Sequence, residues 1–199
     1  MSEDATDPSR RAWVGTACAF GAVGGVAAAT PFVASFAPSE RAKAAGAAVE
    51  VDIGGIKPGE MATYEWRGKP VWVLRRTPEQ VASLKKTDAK VADPQSKRNP
   101  DELTPEYARN EYRSRKPELL VAVGICSHLG CSPTPKLAPG AQPSLPDDWQ
   151  GGFFCPCHGS LFDLAGRVYK NVPAPDNLEI PPYTYLSDTK LLIGEDEKA

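Results

Sequence analysis

Both histidines of this 199-residue chain, and four of its five cysteines, fall between positions 126 and 158. They form two short boxes, Cys126-Ser127-His128-Leu129-Gly130-Cys131 and Cys155-Pro156-Cys157-His158-Gly159-Ser160. Thiolate and neutral imidazole are soft and borderline ligands, suited to zinc or to an iron–sulfur cluster. Each box supplies one cysteine–histidine pair, Cys126 with His128 and Cys155 with His158, and leaves one more cysteine, Cys131 or Cys157. A structural zinc site takes four ligands, commonly from Cys-x-x-Cys pairs, and leaves the rest of these groups unexplained. Residue types alone keep both an exported zinc-binding module and an iron–sulfur protein open. Cys18 stands apart in an apolar stretch, where a small apolar residue is all the position requires.

The elements that bring the two boxes together are expected to be strands. Gly (17) and Pro (20) make up nearly a fifth of the chain, a composition of loops and short strands rather than of a helical bundle. From Val49 onward, β-branched and aromatic runs at 51–56, 61–66 and 70–74 are separated by Gly-Gly, Pro-Gly and Arg-Gly-Lys turn signals. One helix is predicted over 79–86, with Pro78 near its first turn, where the missing N–H costs little. Residues 93–116 are polar and read as an excursion over the surface. The run Leu-Leu-Val-Ala-Val at 119–123 is a buried strand that ends at the first box, and 152–154 delivers the second. Between them 133–149 reads as a proline-rich loop. A hairpin turning at Ala165-Gly166 is expected over 161–168, with 178–180 and 190–193 closing the sheet. The fold expected is mostly β, a small antiparallel sandwich.

Residues 12–37 carry no charge and reach roughly 39 Å as a helix, enough to cross a ~30 Å hydrocarbon core with some tilt. The run is far longer than a 7–15-residue signal core, so an uncleaved transmembrane anchor is expected. Ser9-Arg10-Arg11-Ala12-Trp13-Val14 ahead of it resembles a twin-arginine export signal. This gives a cytoplasmic N-terminus at 1–11, an anchor at 12–37, an Ala/Gly tether at 38–48 and an exported domain at 49–199, with ligands within 119–176. With 23 Lys+Arg against 25 Asp+Glu and no clustered basic face, nucleic acid is excluded as a partner.

The paired boxes resemble the Rieske iron–sulfur family, in its high-potential branch with an inter-loop disulfide. The resemblance extends to Asn171-Val-Pro-Ala-Pro175, similar to the proline segment that covers the cluster in that family, and with the anchor and tether it spans nearly the whole chain. It implies one [2Fe–2S] cluster with Cys126 and Cys155 on one iron and His128 and His158 on the other, and a disulfide between Cys131 and Cys157. Two neutral imidazoles in place of two thiolates remove negative charge and raise the potential. Leu129 is expected to shield the cluster, and Ser160 to hydrogen-bond a bridging sulfide. The resemblance makes His128 and His158 the two candidates to meet quinol and take up its proton, and the sequence does not say which.

The branch implied is that of quinol–cytochrome c oxidoreductases, or cytochrome bc complexes. The expected partners are cytochrome b and a c-type cytochrome in a dimeric complex of a bacterial inner membrane, with the domain on the periplasmic side. Small subunits of arsenite oxidase and cytochrome bf complexes are the alternatives. The chain departs from the family at Phe162, where mitochondrial relatives carry a tyrosine that donates to a ligand cysteine sulfur. It also places 23 residues between Cys131 and Cys155, read as a surface insertion.

Overall fold

A computed structural model describes residues 8–39, 46–98 and 103–196 of the chain. It divides into two units, 1–44 and 45–199. The tether expected at 38–48 lies largely outside the described residues.

The first unit is one helix, α1 (Pro8–Ala34), long and apolar enough to cross a bilayer. Among the described residues it starts four positions before the uncharged run and so includes Arg10 and Arg11, both good helix formers. It stops short of Ala37, in a turn at Ser35–Phe36. None of its side chains is buried. Two of its hydroxyls bond back to its own carbonyls, Thr16 Oγ1 to Ala12 O (3.0 Å) and Thr30 Oγ1 to Val26 O (2.8 Å), which satisfies those donors within the helix.

The second unit holds, among the described residues, three antiparallel sheets of three strands each. Strands β1 (Val49–Asp52), β9 (Lys190–Ile193) and β8 (Tyr183–Ser187) form one, with β9 central. Strands β2 (Met61–Trp66), β3 (Lys69–Arg75) and β4 (Leu119–Val123) form the second. Strands β5 (Thr134–Lys136), β6 (Gly152–Cys155) and β7 (Ser160–Asp163) form the third. Every residue of β4 is buried, as its unbroken apolar run requires. Helix α2 (Pro78–Thr87) extends one residue beyond the predicted span at each end. Thr77 and Gln80 form a reciprocal capping box there, with Pro78 in the first turn and Lys85 and Lys86 in the last.

Three segments differ from the sequence reading. Residues 178–180 form no strand: Val123 N donates to Glu179 O (2.8 Å) along the free edge of β4, and Pro181 and Pro182 follow with no N–H to extend a ladder. The segment 133–149 is not a plain loop, because Thr134–Lys136 pairs with β6. Its end is packed down as well, with Trp149 buried against Tyr169 (ring centroids 5.7 Å apart) and its Nε1 donating to Lys136 O. The polar stretch 93–116 is not a surface excursion, since Asp93, Ser96, Thr104, Ala108, Arg113 and Ser114 are all buried.

Three buried arginines explain that last difference, and they converge on the turn after β7. Arg167 is bound to the buried carboxylate of Asp163 and to Asp88. Burial alone would lower its pKa, but the charges and hydrogen bonds of Asp163 and Asp88 together outweigh it and the value is raised. Arg76 donates to Leu164 O and Tyr112 O, and Arg113 to Ala165 O and Gly166 O. Burial pushes Arg76 down to about 10 and Arg113 down to about 9, so both stay charged at neutral pH. Buried charge of this kind persists where it is well hydrogen-bonded, and of these three guanidinium groups only Arg76 has a nitrogen, Nε, buried without a partner.

The approach to the first box depends on one missing side chain. A Cβ on Gly124, which follows β4, would lie 2.3 Å from the ring of Trp72, and that ring stacks on Phe153 of β6 at 4.8 Å. Gly124→Ala therefore forces two sheets apart. It is expected to cost about 1–3 kcal/mol, as overpacking typically does, read as an earlier midpoint in denaturant unfolding of the full chain. An unchanged midpoint would show that Trp72 has room to move.

Candidate metal centre

The two boxes leave the ends of two different sheets. The first follows β4 and the second joins β6 to β7. Each is closed by a backbone bond over its own turn, Gly130 N to Cys126 O (3.1 Å) and Gly159 N to Cys155 O (3.0 Å). Both glycines sit in the left-handed region, at φ +81° and +77°, which a side chain would strain. Cys126 N also donates to Cys131 O (2.8 Å).

Across the gap a disulfide joins Cys131 to Cys157. The Sγ atom of Cys155 lies near this pair, all three sulfurs within 4.8 Å of one another. The trio offers no set of thiolates, because two of its sulfurs are already bonded together. The sulfurs open to a metal here are those of Cys126 and Cys155, each in a residue only 2 % exposed. Burial pushes the Cys126 thiol up, and the proximity of Cys155 adds to it. Donation from the His128 N–H and the Ser160 hydroxyl opposes the rise without overcoming it. A bound metal removes this conflict by ionising the thiols outright.

The imidazoles complete the set. The rings of His128 and His158 meet edge to face, 4.7 Å between centroids and 88° between planes. His158 is exposed and His128 half-buried. His128 Nδ1 is buried and has no hydrogen-bond partner. An orphaned buried nitrogen costs about 1–3 kcal/mol, and an iron there satisfies it. Two buried thiols, this nitrogen and a second imidazole fit an iron–sulfur cluster with mixed ligands.

A third segment covers the site. Ala174 N donates to Ser160 Oγ (3.0 Å), and Asp176 N donates to Ser127 Oγ (3.3 Å), whose own hydroxyl donates to Asp176 O (2.6 Å). The proline segment is thus tied to both boxes, through one serine in each. Leu129, expected as a shield, is 72 % exposed at the tip of its loop. Ser127 was invisible in the sequence as more than a spacer between two ligand types. Phe162 is fully buried, opposite Phe153 in the β6–β7 register.

The Rieske [2Fe–2S] domain family matches residues 106–183. The ubiquinol–cytochrome c reductase iron–sulfur subunit of Allochromatium vinosum is 56% identical over 189 residues, 94% of this chain and 88% of that protein. The chain belongs to the Rieske family, in its bacterial ubiquinol–cytochrome c reductase branch. Subunits of the same name from Bradyrhizobium diazoefficiens and Blastochloris viridis are each 40% identical; both alignments cover 97% of this chain, with 98% and 97% of the respective proteins. The Rieske domain here carries one [2Fe–2S] cluster, and its donor set fits that group.

The disulfide of this Rieske domain closes a loop of 26 residues in sequence separation. Replacing Cys131 and Cys157 together by serine should lower stability by about 3 kcal/mol, from the loop entropy returned to the unfolded chain. Non-reducing denaturant titration of both proteins measures it, and equal stabilities would mean that the bridge braces nothing.

Proposed function

We propose that the chain is the electron-transfer subunit of a respiratory quinol–cytochrome c reductase, with Cys126 and Cys155 holding one iron of the cluster and His128 and His158 the other. The buried, unpartnered Nδ1 of His128, beside two buried thiols and an exposed imidazole, is the observation that carries this ligand set. The cluster, when bound, takes up and releases one electron at a potential raised by its neutral ligands. With Nδ1 committed to iron, the outer nitrogen Nε2 of each histidine is left to hold or lose a proton. His158, the more exposed ring, accepts the hydrogen bond of a quinol hydroxyl at Nε2 and receives its proton. Cys131–Cys157 fixes the distance between the boxes, and the proline segment keeps water from the sulfurs.

Cytochrome b lies beside the exposed His158 as the source of quinol, and a c-type cytochrome is the next electron carrier. The complex is dimeric and contributes to proton translocation. Helix α1 anchors the chain in a bacterial inner membrane, with Arg10 and Arg11 kept on the cytoplasmic side by the positive-inside bias and the Rieske domain in the periplasm. Export through a twin-arginine route suits a domain that must fold around its cluster before crossing. Solubilised membranes should yield the chain together with b- and c-type haem. Quinol-dependent cytochrome c reduction should be lost in His128→Ala and in His158→Ala, and activity surviving either change would overturn the ligand set.

Phe162 tunes the same site. A tyrosine there supplies a donor near an anionic sulfur, which favours the reduced state. Redox titration of Phe162→Tyr should give a higher midpoint potential at unchanged iron content; an unmoved midpoint removes Phe162 from the explanation.

A further inference from the structure

The segment over the metal centre is cinched at its base. Val168 N donates to Asn177 Oδ1 (2.8 Å) and Leu178 N to Gly166 O (2.9 Å), so residues 168–177 leave and return at one place. Arg113 sits under that closure, fully buried. Its Nη1 donates to Ala165 O and Gly166 O on the outgoing side, and its Nη2 to Leu178 O (2.6 Å) on the returning side. Its Nε donates to Ser96 Oγ (2.6 Å), and the same oxygen receives Asn177 Nδ2 (3.1 Å). One guanidinium therefore holds both ends of the covering segment, directly and through Ser96. At the far end of that segment Ala174 N donates to Ser160 Oγ (3.0 Å), which leaves the Ser160 hydroxyl hydrogen to reach a sulfur of the metal centre.

We propose that Arg113 is a positioning residue for the metal centre: by fixing the base of segment 168–177 it aligns Ala174 N–H and, through it, the Ser160 hydroxyl toward the sulfurs of the metal centre. The inference rests on the ligand reading above. A donor held on an anionic sulfur stabilises the reduced state, so loosening the base lowers the midpoint potential without touching a ligand. Lysine keeps the positive charge but is a point charge on a flexible stem, and cannot span three carbonyls and the hydroxyls of Ser96 and Thr104 as the planar fork does. Charge and geometry are thereby separable.

The test is redox titration of the [2Fe–2S] centre in the full chain in its native membranes. The variants are Arg113→Lys, Arg113→Gln, Ser96→Ala, Ser160→Ala and the doubles of Arg113→Lys and of Ser96→Ala with Ser160→Ala. Arg113→Lys and Ser96→Ala should both shift the midpoint downward at unchanged cluster content, and each shift should vanish once Ser160 is alanine, the non-additivity expected of residues acting in series. An unshifted midpoint in both single variants overturns the proposal. So does full additivity with Ser160→Ala, or a shift confined to Arg113→Gln, which would assign the effect to charge. Where the Arg113 variants do not accumulate, Ser96→Ala and its double decide by the same criteria. Failure of the ligand reading shows separately, as wild-type chain without iron and labile sulfide.

Discussion

Two loops from different sheets must bring two buried thiols and a buried imidazole nitrogen to one point, and everything around the metal centre follows from that constraint. The first box belongs to β4 and the second to β6 and β7, so no continuous ladder sets the distance between them. Two links do it instead. The disulfide joins the outer cysteines, and the covering segment is hydrogen-bonded to a serine in each box. These links enclose two buried thiols and a buried nitrogen with no protein partner, the groups that a cluster satisfies when it binds.

The rest of the domain keeps the covering segment still. Backbone bonds hold its first residues, Tyr169 N to Leu161 O and Lys170 N to Lys90 O, and the proline-containing stretch beyond them is positioned by side chains. Ser127 and Ser160 hold the end near the metal, while Asn177, Ser96 and Arg113 hold the base. Asp163 anchors the turn beneath by accepting from Ala165 N, Arg167 N and the Arg167 side chain. The same turn carries β7 back from the second box, so the electrostatic centre of the domain and its metal centre share one strand.

How much of this the sequence announces depends on whether a residue's job is local. The two boxes are legible because ligand types and spacing are local, and so is α2, whose cap and first turn lie in Thr77, Pro78 and Gln80. The apolar run at 119–123 declares its own burial. Arg113 and Asp163 are not legible, since a buried charge and a surface charge look alike until their long-range partners are known. That is why 93–116 reads as a surface segment while it carries a buried arginine bound to residues 52 to 65 positions away. Trp149 and residues 178–180 are misread for the same reason, one packing on Tyr169 and the other bonding to β4 across long separations. Leu129 suits a shield by its place between ligands, yet in this structure its side chain is exposed.

The central claim is that both histidines are ligands, and the chain makes it directly testable because it contains only two. Pulsed electron paramagnetic resonance on reduced membranes from cells grown on 15N-histidine reads nitrogen coupled to the [2Fe–2S] centre. Two strongly coupled histidine nitrogens are predicted. Coupling to one nitrogen or to none in a fully reduced sample, or a centre containing zinc without labile sulfide, would contradict the account.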